Sequence, residues 1–131
     1  MPMAYKVQRS ILPLLPKGSS DISILHFSDL HLRPGQKRKI ADIKSFINLK
    51  PDLVISTGDF LAHKDSVGPV ISALDELLDL PGFFVFGSND YYGPKFKNPF
   101  SYLKKDHGER KFGNKLPWQS LQKKLINRGW K

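Results

Sequence analysis

The stretch Leu25-His26-Phe27-Ser28-Asp29-Leu30-His31 passes from apolar residues into a carboxylate and an imidazole, and it is the first of three such passages. Leu53-Val54-Ile55-Ser56-Thr57-Gly58-Asp59 and Phe83-Phe84-Val85-Phe86-Gly87-Ser88-Asn89-Asp90 repeat the arrangement. Short apolar runs closed by turn residues read as buried strands. Between the first and second, Ile40, Ile43, Phe46 and Ile47 recur at helical spacing over residues 36–49, with Lys and Arg on the other face. Lys50-Pro51 ends that helix, because the residue before proline is pushed out of the helical region. Between the second and third, Val67, Val70, Ile71, Leu74, Leu77 and Leu78 form the strongest helical stripe of the chain, stopped by Pro81-Gly82. Strand, helix, strand, helix, strand predicts an α/β fold with a parallel βαβαβ core and right-handed crossovers.

Working outward, residues 1–20 read as an extended arm or edge strand, because Pro13 and Pro16 break their apolar pieces. Residues 91–117 read as a long basic loop region, densest in cations from Lys95 to Lys115. Trp118, Leu121, Leu125 and Ile126 suggest a last short helix, with Gly129 as its C-terminal cap. A length of 131 residues allows one domain. The 21 basic against 12 acidic residues give a net charge of +9, which favours anionic partners. The bases are spread over several segments, so much of the excess reads as solvated surface. No cysteine is present, which excludes disulfides and thiolate metal sites and permits a reducing compartment; the expected location is the cytoplasm. The N-terminal stretch lacks the continuous apolar core of a signal peptide, and no run reaches the length of a membrane span.

The chemistry lies at the strand ends. In an extended segment residues two apart point the same way, so Asp29 and His31 can aim a carboxylate and an imidazole at one point. Oxygen with neutral imidazole suits manganese, iron or zinc. Asp59 follows Gly58, which permits a sharp turn and leaves room for an ion that a two-oxygen carboxylate can bridge to another. Gly87-Ser88-Asn89-Asp90 offers a neutral oxygen ligand from Asn89 or Ser88, with Asp90 holding the loop or a partner of the ligands. Each cluster alone is an ordinary turn sequence. Together they are specific, because open α/β sheets bind ligands at the carboxyl ends of their strands.

Asp-x-His, then Gly-Asp, then Gly-Asn-His-Asp/Glu is the motif order of the calcineurin-like metallophosphoesterases, and the chain resembles that family over about 5–130. Residues 25–32 and 85–92, with Lys97-Asn98-Pro99 and Tyr102-Leu103, are similar to a bacterial, mainly actinobacterial, branch. The resemblance implies two divalent metal ions about 3.5 Å apart that clamp a phosphoryl group. It places Asp29 and His31 on the first ion, Asp59 between both and Asn89 on the second. It implies hydrolysis of phosphate mono- or diesters by a metal-activated hydroxide.

Two departures accompany it. The family's Asn-His pair is replaced by Ser88-Asn89. Without a gap, Ser88 falls on the ligand and Asn89 on the histidine; with a one-residue shift, Asn89 stays the ligand and Asp90 takes the histidine's place. An amide oxygen coordinates better than a hydroxyl, which favours Asn89. His63 is a stand-in for the missing acid, although a solvated loop histidine is the plainer reading. The family's late Gly-His-x-His is also absent, so the chain reads as the N-terminal half of an α/β/β/α sandwich, truncated and short of ligands. An exposed inner sheet would then promote low stability or self-association. Two other functions fit the same residues: a catalytically dead module that binds phosphate and metal, and, less favoured, a basic nucleic-acid-binding protein using Tyr91, Tyr92, Tyr102 and Trp118 for stacking.

Overall fold

The computed structural model of the chain describes residues 4–94 and 113–131. The three apolar runs form strands β1 (Ile24–Phe27), β2 (Leu53–Ser56) and β3 (Gly82–Phe84). They make one parallel sheet in the order β1-β2-β3, with Val54 opposite both Leu25 and Gly82 and Ile55 opposite both His26 and Phe83. Strands that are sequential and parallel need crossovers, and helices α1 (Lys37–Ser45) and α2 (Val67–Leu74) supply them. The two helices pack against each other, as crossovers of one hand over a 1-2-3 sheet require.

Both predicted helices are shorter than their apolar stripes. α1 tightens into a 3-10 turn over Phe46–Leu49, and α2 is followed by another over Leu77–Asp79. Proline is the physical reason in each case. Lys50 before Pro51 adopts a left-handed conformation, and Leu80 before Pro81 is extended. The stripe residues stay in the core all the same: Val70, Leu74, Leu77 and Leu78 are buried together with Ile43 and Phe46.

A third buried layer of contacts comes from the C-terminal side. α4 (Trp118–Asn127) packs on α2 and buries Leu121 and Leu125, while the short helix α3 (Ser88–Tyr91) follows β3. α4 ends as its sequence predicts. Gly129 takes φ +101°, its N–H donates to Ile126, and the Trp130 N–H donates back to Leu125, the paired bonds of a Schellman cap. The cap folds Trp130 inward beside Gly82, and the Arg128 guanidinium binds Asp75 at 2.7 Å and Asp79 at 2.9 Å.

The opposite face of the sheet carries Ile24, Phe83 and Val85, each at least half exposed (52%, 50% and 58%). Residues 6–24 are exposed as well, and no strand pairing is present over 4–20. The arm is anchored near its start, where the Ala4 N–H donates to Asp42 at 2.6 Å, the Tyr5 hydroxyl donates to the Leu30 carbonyl at 3.1 Å and the Tyr5 ring stands edge-on to Phe46. The basic stretch from Lys95 lies outside the described residues up to 112, as does all of 97–103 with Tyr102.

Candidate metal centre

The loops that leave β1 and β2 stay zipped together past the ends of the strands. Asp29 N–H donates to the Gly58 carbonyl at 3.0 Å, His31 N–H to Asp59 at 2.9 Å, and Leu32 N–H to Phe60 at 2.9 Å. Leu30, Leu32, Phe60 and Leu61 are buried and pin this extension to the core, so the polar residues between them face outward. The alternation expected of Asp29 and His31 is present, but not through extended backbone. Asp29 (φ +56°), His31 (φ +41°) and Asp59 (φ +57°) all sit in the left-handed region. Such residues cost on the order of 1–3 kcal/mol each and persist where surrounding structure holds them. Among the described residues only one other non-glycine residue, Lys50, shares this conformation.

These three strained residues form a single cluster. One ligand atom from each of Asp29, His31 and Asp59 lies within 4.8 Å of the others. His31 Nε2 is 3.3 Å from Asp29 Oδ1. The Ser28 hydroxyl donates to the other Asp29 oxygen, and that bond, followed by His31, holds the Asp29 carboxyl below the usual carboxylate range. Two oxygens and one imidazole are a donor set that fits manganese, iron or zinc.

The third strand end meets the cluster at Asp59. Asn89 donates to its two oxygens, from the backbone N–H at 3.1 Å and from Nδ2 at 3.2 Å. A half-turn of the Asn89 carboxamide exchanges its nitrogen for its oxygen without moving the chain. Of the two candidates left open by the sequence, Asn89 is the one that touches Asp59; Ser88 begins α3. Glycines make the close approach possible. A Cβ on Gly87 would overlap the Asp59 carboxylate, and a Cβ on Gly58 would overlap the Gly87 backbone.

Asp90 lies inside the turn and is fully buried. Its carboxylate accepts N–H bonds from Asp59 (2.7 Å), Leu61 (2.9 Å) and Gly87 (3.0 Å), fastening the β2 and β3 loops to each other. Burial pushes its pKa up in spite of those bonds. His63 stands outside the cluster, where its Nδ1 accepts the Asp65 N–H at 3.1 Å. Behind the site, Tyr91 and Trp118 pack edge to face with a centroid separation of 5.1 Å, and both contact Phe86.

A cleft of about 370 Å³ adjoins the cluster and shares His31 and Asn89 with it. Arg33, Gln36 and Lys39 also line it. By sequence, Lys39 falls on the polar face of its helix and Arg33 in the loop before it. Their density over 33–39 was the available signal, but periodicity alone does not say which face borders a strand end.

A family model for calcineurin-like phosphoesterases matches residues 22–130 of the chain. No curated protein and no solved structure matches it.

Proposed function

Because the chain belongs to the calcineurin-like phosphoesterase family, we propose that it hydrolyses phosphate mono- or diesters at a dinuclear centre built on the Asp29–His31–Asp59 cluster. The observation that carries the proposal is the convergence of those three donors, from two separate strand ends, in strained backbone. Asp29, His31 and Asp59 would hold one ion, and Asp59 with the Asn89 amide oxygen would be the donors for the other. When bound, the ions supply positive charge that polarises the phosphoryl group and lowers the pKa of water. The residues of the chain do the rest. Ser28 orients Asp29 through its hydroxyl, Gly87 leaves Asp59 its space, and Asp90 acts as a positioning residue by tying down the loop that carries Asp59. His63, held by Asp65, is given no part.

Hydrolysis of bis-p-nitrophenyl phosphate with manganese tests this. Turnover by the chain, reduced at least a hundredfold by Asp59→Asn, is the expected result. Manganese binding without turnover would replace the enzyme by a metal- and phosphate-binding module. Salt-sensitive affinity for nucleic acid, indifferent to manganese, would favour a basic binding protein.

A further inference from the structure

The first turn of α1 breaks a rule of helix electrostatics. It begins Lys37-Arg38-Lys39 with no acidic residue, and Gln36 makes no side-chain cap to it. Cations at a helix N-terminus oppose the positive end of the helix dipole, whereas anions there are stabilised. Arg33 adds a fourth positive charge just upstream, and its guanidinium has no acidic partner among the described residues. The Gln36 side chain instead accepts the Arg33 N–H at 2.9 Å, which fixes the loop between the metal cluster and the helix. Arg33, Gln36 and Lys39 all line the cleft that runs into the cluster through His31 and Asn89, and no carboxylate lines it among the described residues. Lys39 also lies 5.9 Å from the Tyr5 ring centroid, at the outer limit of a cation–π contact, so it is steadied without being neutralised.

An ester with a single charged phosphoryl group engages the cluster and leaves this cationic wall unmatched. We infer that the cleft selects phosphoesters whose organic part carries a second negative charge, which Arg33 and Lys39 bind while the phosphoryl group occupies the cluster. This rests on the phosphoesterase reading for the place of the phosphoryl group. Arg33 and Lys39 are then specificity-determining residues, and the segment from Asp29 to Lys39 does two jobs: its first part supplies metal ligands, and its second part, running into α1, recognises the remainder of the substrate. Neutral apolar contacts from Leu61 and Pro94 on the same cleft suit the carbon skeleton between the two charges.

The test compares binding of phenyl phosphate and 4-carboxyphenyl phosphate, which differ by one carboxylate, to the manganese-loaded chain by calorimetry. At least tenfold tighter binding of the carboxylated compound is expected, shrinking below threefold in the Arg33→Gln/Lys39→Gln double variant and at high salt, with manganese affinity unchanged. Equal affinity for the two compounds, or an advantage that survives the double substitution, overturns the inference. Failure of manganese to bind would sink the phosphoesterase reading instead. The inference is then judged on the metal-free chain, where loss of 4-carboxyphenyl phosphate binding on double substitution supports it and an unchanged affinity, or none in either protein, ends it.

Discussion

Gly87 shows how much of the site depends on one missing atom. Its own backbone, at φ −94°, would accept any residue, so its identity is set by the Asp59 carboxylate pressed against it. Gly87→Ala is therefore expected to displace that carboxylate and weaken manganese affinity at least tenfold, while costing only about 1 kcal/mol of stability, read by urea unfolding. A large loss of stability with unchanged manganese affinity would contradict that assignment. Individual residues were legible in the sequence in a particular sense. Asp29, His31 and Asp59 stand out as candidate ligands because only a few side chains ligate hard and intermediate cations, and the fold brings the three together. Their left-handed backbone was not, because Asp and His tolerate many conformations and nothing in the string marks strain. Asn89 is favoured over Ser88 by the chemistry of its amide oxygen, and what the sequence does not show is its hydrogen bond to Asp59.

At the scale of elements, period and punctuation carried most of the information. Alternation and apolar runs located β1, β2 and β3, and the stripe from Val67 to Leu78 located α2 and the turn after it. What the stripe concealed was the change from α-helix to 3-10 turn, because both conformations bury much the same residues. The end of α4 was legible to the residue, since few residues other than glycine take φ +101° readily. Gly129→Ala is expected to cost about 1–2 kcal/mol by forcing a Cβ into the left-handed region, visible as a lowered thermal midpoint. The N-terminal arm is held by Tyr5, whose phenol is pushed up to about 12, first by burial and then by Asp42. A raised phenol pKa contributes stability that is intact below the ordinary value of 10 and is lost as pH climbs from 10 through 12. Subtracting the alkaline phenolate absorbance of Tyr5→Phe from that of the parent should leave a single titration near pH 12; one near 10 would mean the arm is undocked.

Across the whole molecule, one sheet face is covered by helices and the other displays Ile24, Phe83 and Val85. Exposed apolar strand surface invites association. Sedimentation at rising concentration should show the chain self-associating, and Val85→Lys should shift it toward monomer. A parent chain that stays monomeric at high concentration would refute this. The exposed face was foreseeable from Phe83-Phe84-Val85-Phe86, which is apolar in both directions. The cationic cleft was not, because it joins residues 33–39 to Asn89 across the sheet end, a juxtaposition that only the fold creates. The cleft adjoins the Asp29–His31–Asp59 cluster, so its meaning depends on whether that cluster holds a metal. Manganese binding followed by electron paramagnetic resonance, in the parent chain and in Asp59→Asn, decides the matter. The expected result is quenching of the free-ion signal by the parent and at least a tenfold weaker affinity in the variant; equal binding by the two proteins, or none by the parent, would contradict it.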